Sequence, residues 1–150
     1  MIENFEIEFD RTVLGQEVVG ESMEVTREKM LAFARAVGET NPLYTDDDAA
    51  RRAGYPSIIA APTFVNCARR SVVRPDPKIQ HGTLRFFANQ ALEFYLSVMP
   101  GDVIHSVTSL EDVYAKTGRS GVMVFEVWRT EMVNQHDQVV AVSRESTVHR

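Results

Sequence analysis

The sequence predicts an α+β domain in which helices come early, strands come late, and an antiparallel sheet wraps around one long central helix. Three observations carry this. Apolar residues recur at helical spacing between Thr26 and Gly54. A small-sided apolar segment opens at Pro62, and after His81 the chain becomes rich in β-branched and aromatic residues broken by turn signals. At 150 residues, 44% of them hydrophobic, the chain can bury one core of its own, and a second domain does not fit.

Phe5, Ile7 and Phe9 alternate with Glu6, Glu8 and Asp10, the period of a short half-buried strand. Met30, Phe33, Ala34 and Val37 then share one helical face, with Thr26 placed to cap the helix and Gly38 to stop it. Asp46 is placed to cap a second short helix. Asp47 and Asp48 suit its positive end, Arg51 and Arg52 its negative end, and Gly54 ends it, so the three aspartates need no metal to explain them.

Proline is favoured in a first helical turn, so the central helix is expected to start at Pro62 and to run through TFVNCARRSVV until Pro75 and Pro77 stop it. Four strands follow, over 84–98, 103–114, 122–133 and 139–148, with turns at Pro100-Gly101-Asp102, at 118–121 and at 135–138; they predict an antiparallel meander. Phe86, Phe87, Phe94, Tyr95, Phe125 and Trp128 offer more aromatic surface than one thin core needs, which points to pairing with a second copy of the chain, as a dimer.

Composition excludes several functions. A net charge of −5 without a large basic patch argues against nucleic-acid binding. The single Cys67 forms no intramolecular disulfide, which suits a reducing compartment, and the cytoplasm is expected. The N-terminus has no signal-peptide pattern, and no apolar run reaches the roughly 20 residues of a membrane span. His81, His105, His136 and His149 have no metal-ligand spacing, and no GxSxG surrounds Ser57.

The stretch FARAVGETNPLYTDDDAARRAGYPSIIAAPTF, followed later by GDVIHSVTSLEDVYAKTGRSGVMVFEVWRTEMVNQ, resembles the MaoC-like hydratase/dehydratase family, and more closely its FAS1-like dehydratase branch. The resemblance implies a hot-dog fold and reversible addition of water to trans-2-enoyl thioesters. It also implies no separate cofactor, because coenzyme A or acyl-carrier pantetheine arrives as part of the substrate. Catalytic members carry Asp-x-Asn-Pro-Leu-His after the first helix, whose Asp and His handle water and proton. They open the central helix with His-Gly, whose glycine N–H holds the thioester oxygen.

Here Glu39 stands in place of the Asp, Asn41 and Pro42 are kept, and Tyr44 replaces the His. Ala61-Pro62 replaces His-Gly, and proline has no N–H, so any oxyanion donor must be Thr63 or Phe64. Glu39 is open to two readings, a buried base or a solvated loop carboxylate. Tyr44 can donate a hydrogen bond but is a poor base near neutrality. His81 could approach a site from a partner chain or lie on the surface. Arg69, Arg70 and Arg74, with Lys78, form the one basic cluster, suited to an anionic pantetheine carrier or to a helix C-terminus.

Three functions follow: the substrate-holding subunit of a heterodimeric hydratase/dehydratase whose partner hot-dog subunit supplies Asp and His, a self-sufficient homodimeric hydro-lyase using Glu39 and Tyr44 or His81, or a non-catalytic domain binding acyl-CoA or acyl-carrier thioesters. A thioesterase would need a carboxylate on the central helix, and APTFVNCARRSVV has none.

Overall fold

The computed structural model describes residues 5–69, 72–119 and 121–150. Helix α1 spans Arg27–Ala36; Thr26 caps it by accepting from the Lys29 N–H, and the chain leaves through Gly38 at φ 70°, a conformation that glycine adopts without penalty. A 3₁₀ turn at Pro42–Tyr44 leads into α2, Asp47–Arg52, whose cap is Asp46, accepting from the Asp48 and Ala49 N–H groups. Both caps are the ones the sequence predicts.

The central helix is shorter and tighter than expected. It covers Pro62–Arg69 and is wound as 3₁₀. The Val72 N–H turns back to the Arg69 carbonyl, and β-branched Val72 and Val73 ahead of Pro75 oppose further winding.

The sheet has six strands: β1 (Val18–Val19), β2 (Met23–Glu24), β3 (Arg85–Phe94), β4 (Val103–Gly118), β5 (Gly121–Val133) and β6 (Val139–His149). Their order is β1-β4-β5-β6-β3, with β2 also on β4, and every named pairing is antiparallel. The expected meander therefore holds only for β4, β5 and β6. One edge of β4 is occupied by β5 and the other by the short β1 and β2, so β3 crosses over and pairs with β6, its outer edge unpaired among the described residues.

The predicted strand at Phe5 to Phe9 is corrected too. Ile7 and Phe9 are half-buried while Glu6 and Glu8 are exposed, but Phe5 is exposed as well, and the segment joins no sheet among the described residues. It bonds the following loop instead, Asp10 N–H to the Pro77 carbonyl at 2.7 Å and Gln80 N–H to the Glu8 carbonyl at 2.9 Å. Pro75 and Pro77 lack the N–H groups that a continuous ladder needs.

The central helix lies against the buried face of the sheet. Phe64, Val65 and Ala68 pack with Met30 of α1 and with Ile104, Met132 and Ala141 of the strands; Phe33 meets Phe64 edge to face at 5.5 Å. The Ser106 hydroxyl donates to the Ala68 carbonyl at 3.2 Å, fixing the end of the helix to β4. Trp128 is core rather than spare aromatic surface: it is 1% exposed beside Val13 and Leu110. Phe86, Phe87, Phe94 and Tyr95 are exposed on and just after the free edge strand, and Phe125 stacks on Tyr114. No helix is long and apolar enough to cross a membrane among the described residues.

Candidate active-site cleft

The loop after α1 is built from its own polar side chains. One Glu39 carboxylate oxygen, Oε1, accepts from the Thr40 and Asn41 N–H groups, each at 2.9 Å, and Asn41 Oδ1 accepts from the Leu43 N–H at 3.0 Å. Pro42 then starts the turn that ends at Tyr44.

Two further bonds bring this loop to the start of the central helix. The Ile59 N–H donates to the Leu43 carbonyl at 3.1 Å, and the Ala60 N–H donates to the Val98 carbonyl at 2.8 Å. Asp47 Oδ1 accepts from the Ile58 N–H at 2.9 Å and from Arg27 at 2.8 Å. These bonds, the one from Ile58 foremost, hold the Asp47 carboxyl below the usual aspartate range.

A cleft of about 240 Å³ results, between residues 59–62 with Val65 on one wall and residues 94–98 on the other, with Tyr44 joining them. The side chains facing it are mostly apolar; Tyr44, Tyr95 and Ser97 supply its hydroxyls, and no carboxylate or imidazole of the described residues lines it. The Tyr95 hydroxyl donates to Glu93 at 2.8 Å, and that bond raises its pKa above the usual tyrosine value.

The predicted site residues divide accordingly. Tyr44 and Ala61 meet at the cleft, whereas Glu39 is half-buried outside it, committed to its own turn. The Phe64 N–H is taken by the Ala61 carbonyl at 2.9 Å and its ring lies in the core. Thr63 is exposed, and its N–H has no partner among the described residues. His81 is hydrogen-bonded through Nε2 to the Val122 carbonyl at 3.0 Å, at the start of β5. Phe94 of the cleft pairs with Ala141, and Ala141 with Met132 near the end of β5, so His81 and the cleft lie roughly 30 Å apart measured along that strand.

Arg69 and Arg74 lie in a different recess, where both are paired with Glu145, the latter at 2.6 Å. Arg70 falls outside the described residues. Glu145, and the 94–98 wall of the cleft, have no local sequence signal; both are brought into place by strand pairing between distant segments. Among the described residues, no three His, Cys, Asp or Glu side chains converge as a metal site would require.

Comparison with known proteins establishes the family and the fold. The family model for the FAS1-like, dehydratase domain region matches residues 12–143. The chain belongs to the FAS1-like dehydratase domain family. A UPF0336 protein of Streptomyces avermitilis is 36% identical over 122 residues, covering 74% of this chain and 81% of that protein.

Among solved structures, the ChsH1-ChsH2 complex of Mycobacterium tuberculosis superposes with a TM-score of 0.72 at 24% identity, over 89% of this chain and 82% of that one. The MaoC-like dehydratase of Rhodospirillum rubrum gives 0.68 at 20% identity, over 91% of each chain. The HadBC (3R-hydroxyacyl-ACP dehydratase) complex of Mycobacterium tuberculosis gives 0.69 at 22%, over 90% of this chain and 96% of that one. The FAS1-like dehydratase domain thus has the hot-dog fold, its sheet curved about the central helix as the resemblance implies.

Proposed function

We propose that this FAS1-like dehydratase domain is the substrate-holding subunit of a heteromeric hydratase/dehydratase that interconverts trans-2-enoyl and 3-hydroxyacyl thioesters on coenzyme A or acyl carrier protein. The observation that carries this is the lining of the cleft. It keeps the helix start and the apolar walls suited to an acyl group, yet none of the described residues facing it is a carboxylate or imidazole able to move the proton.

In this reading Tyr44 and the Thr63 N–H are the groups available to the thioester oxygen, and the partner subunit supplies base and acid. The partner sits along β3, whose free edge carries exposed Phe86 and Phe87 and leads to exposed Phe94, Tyr95 and Leu96 beside the cleft. Two of the superposing structures, ChsH1-ChsH2 and HadBC, are themselves complexes, which supports an assembly of this kind. A substrate carried on coenzyme A or acyl carrier protein supports a cytoplasmic location.

The test is hydration of trans-2-enoyl-CoA thioesters by the purified chain alone and after mixing with a hot-dog subunit that retains Asp and His. Binding without turnover alone, and turnover in the mixture, is the expected result. Turnover by the chain alone that Glu39→Ala abolishes would replace this reading with a self-sufficient hydro-lyase. Binding without turnover in any mixture would leave a non-catalytic thioester-binding domain.

A further inference from the structure

A second recess, of about 590 Å³, opens on a different face of the central helix. Val65 faces the cleft, whereas Asn66, Cys67 and Arg69 face this recess, together with Phe33 of α1, Arg74 of the following segment and Glu145 of β6.

Its charges do not balance. The Arg69 and Arg74 guanidiniums converge on the one carboxylate of Glu145, whose side chain is 13% exposed. Burial alone would push the Glu145 carboxyl up, and Arg74 and Arg69 override it and hold the group below the usual carboxylate range. The Glu145 carboxylate is therefore ionised near neutrality, and among the described residues lining the recess two guanidiniums face this one carboxylate. The Nε of Arg69 is buried and has no acceptor among the described residues. Arg74 is held in place from its other side, its guanidinium 5.2 Å from the centre of the Trp128 ring. Partly desolvated, pre-oriented guanidiniums that outnumber the carboxylates among the described residues suit a further anion.

The rest of the wall says what that anion is attached to. Phe33 and Val72 present apolar surface to the same recess, so a ligand with hydrocarbon beside its charge satisfies both parts. A monoanion matches the one guanidinium in excess among the described residues, whereas a phosphate dianion exceeds it. We propose that this recess binds a small amphipathic carboxylate, its anionic end on Arg69 and Arg74 and its hydrocarbon on Phe33 and Val72. That carboxylate comes either as a free acid or as the far end of an acyl chain.

The inference is independent of the thioester reading of the cleft, and its test needs no turnover. Trp128 is the single tryptophan and lies against Arg74, so its fluorescence reports the recess through that guanidinium. Hexanoate, 1-hexanol and inorganic phosphate are titrated into the protein in its native oligomeric state, with calorimetry alongside because substitution of Arg74 itself alters the surroundings of Trp128.

Saturable hexanoate binding is expected, about tenfold or more tighter than that of hexanol or phosphate, and weakened about tenfold or more by Arg74→Gln. Arg74→Lys, which keeps the charge and loses the fork, is expected to fall between, and Tyr44→Phe to bind hexanoate as the parent does. Displacement of hexanoate by adipoyl-CoA but not by hexanoyl-CoA would identify an acyl chain as the source of the carboxylate; no displacement by either would identify a free acid. The proposal is overturned by absence of saturable binding, by hexanol or phosphate binding as tightly as hexanoate, or by hexanoate affinity unchanged in both Arg74 variants.

Discussion

Asp47 reaches from the first turn of α2 to the backbone of Ile58, accepting its N–H at 2.9 Å, and with its bond to Arg27 ties α1, α2 and the approach to the central helix into one unit. Asp47→Asn should keep the shape and lose the charge, lowering Tm at neutral pH by a few degrees. The carboxyl is held below its ordinary value of 3.8, so its contribution is complete above that pH and is lost as the pH falls through the lower folded value. Urea melts of the parent and Asp47→Asn should therefore differ at pH 7 and converge once the pH is well under 3.8. A difference that persists unchanged in acid would assign the effect to shape rather than ionisation.

Tyr44 is the one residue of the loop after α1 that lines the cleft. Tyr44→Phe removes a hydroxyl and leaves the wall intact. Thioester affinity or turnover of the assembled enzyme should drop about five- to tenfold, the loss expected for one hydrogen bond, with Tm unchanged. Equal activity in the two proteins would mean that Tyr44 only fills space.

Phe86 projects from the free edge strand at 49% exposure. Phe86→Glu should weaken assembly about thirtyfold or more, the effect of losing a central aromatic anchor. Sedimentation should then show a smaller species, while circular dichroism shows the same fold. An unchanged sedimentation coefficient would move the interface away from β3.

Gly82 has φ 66°, and a Cβ there would run into the backbone of Arg150. Thr83 and Leu84 both donate to the Arg150 carbonyl, at 3.0 and 2.9 Å, so this approach fastens the start of β3 to the end of β6. Gly82→Ala should cost at least about 2 kcal/mol, from the left-handed conformation and the collision together. Denaturant unfolding would measure it, and a loss under about 0.5 kcal/mol would show that the two segments separate freely.

What the sequence revealed and what it hid have one physical boundary. Thr26, Gly38, Asp46 and Gly54 were legible as helix punctuation because each acts within four residues of itself. The alternation at Phe5 to Phe9 separates half-buried Ile7 and Phe9 from exposed Glu6 and Glu8 but misses Phe5, which is exposed, and alternation does not name the bonding partner, here a proline-containing loop. The place of β3 beside β6, and the two-residue strands β1 and β2, follow from competition for the edges of β4, a non-local matter. At the site, the same boundary separates Tyr44 and Ala61, found from the order of the motif, from residues 94–98 and Glu145, which reach their places through pairings across the sheet.

The open side of β3 bears on how cells can make this protein. Its ten residues, Arg85–Phe94, leave one edge unpaired, with phenylalanines exposed along it, and a nascent chain displaying that edge is a template for its neighbours on the ribosome. If the proposed partner covers β3, its production in step with this chain, at matched copy number, would keep that edge covered from the moment it folds. Surplus unassembled chain would be expected in inclusion bodies or in the grip of chaperones.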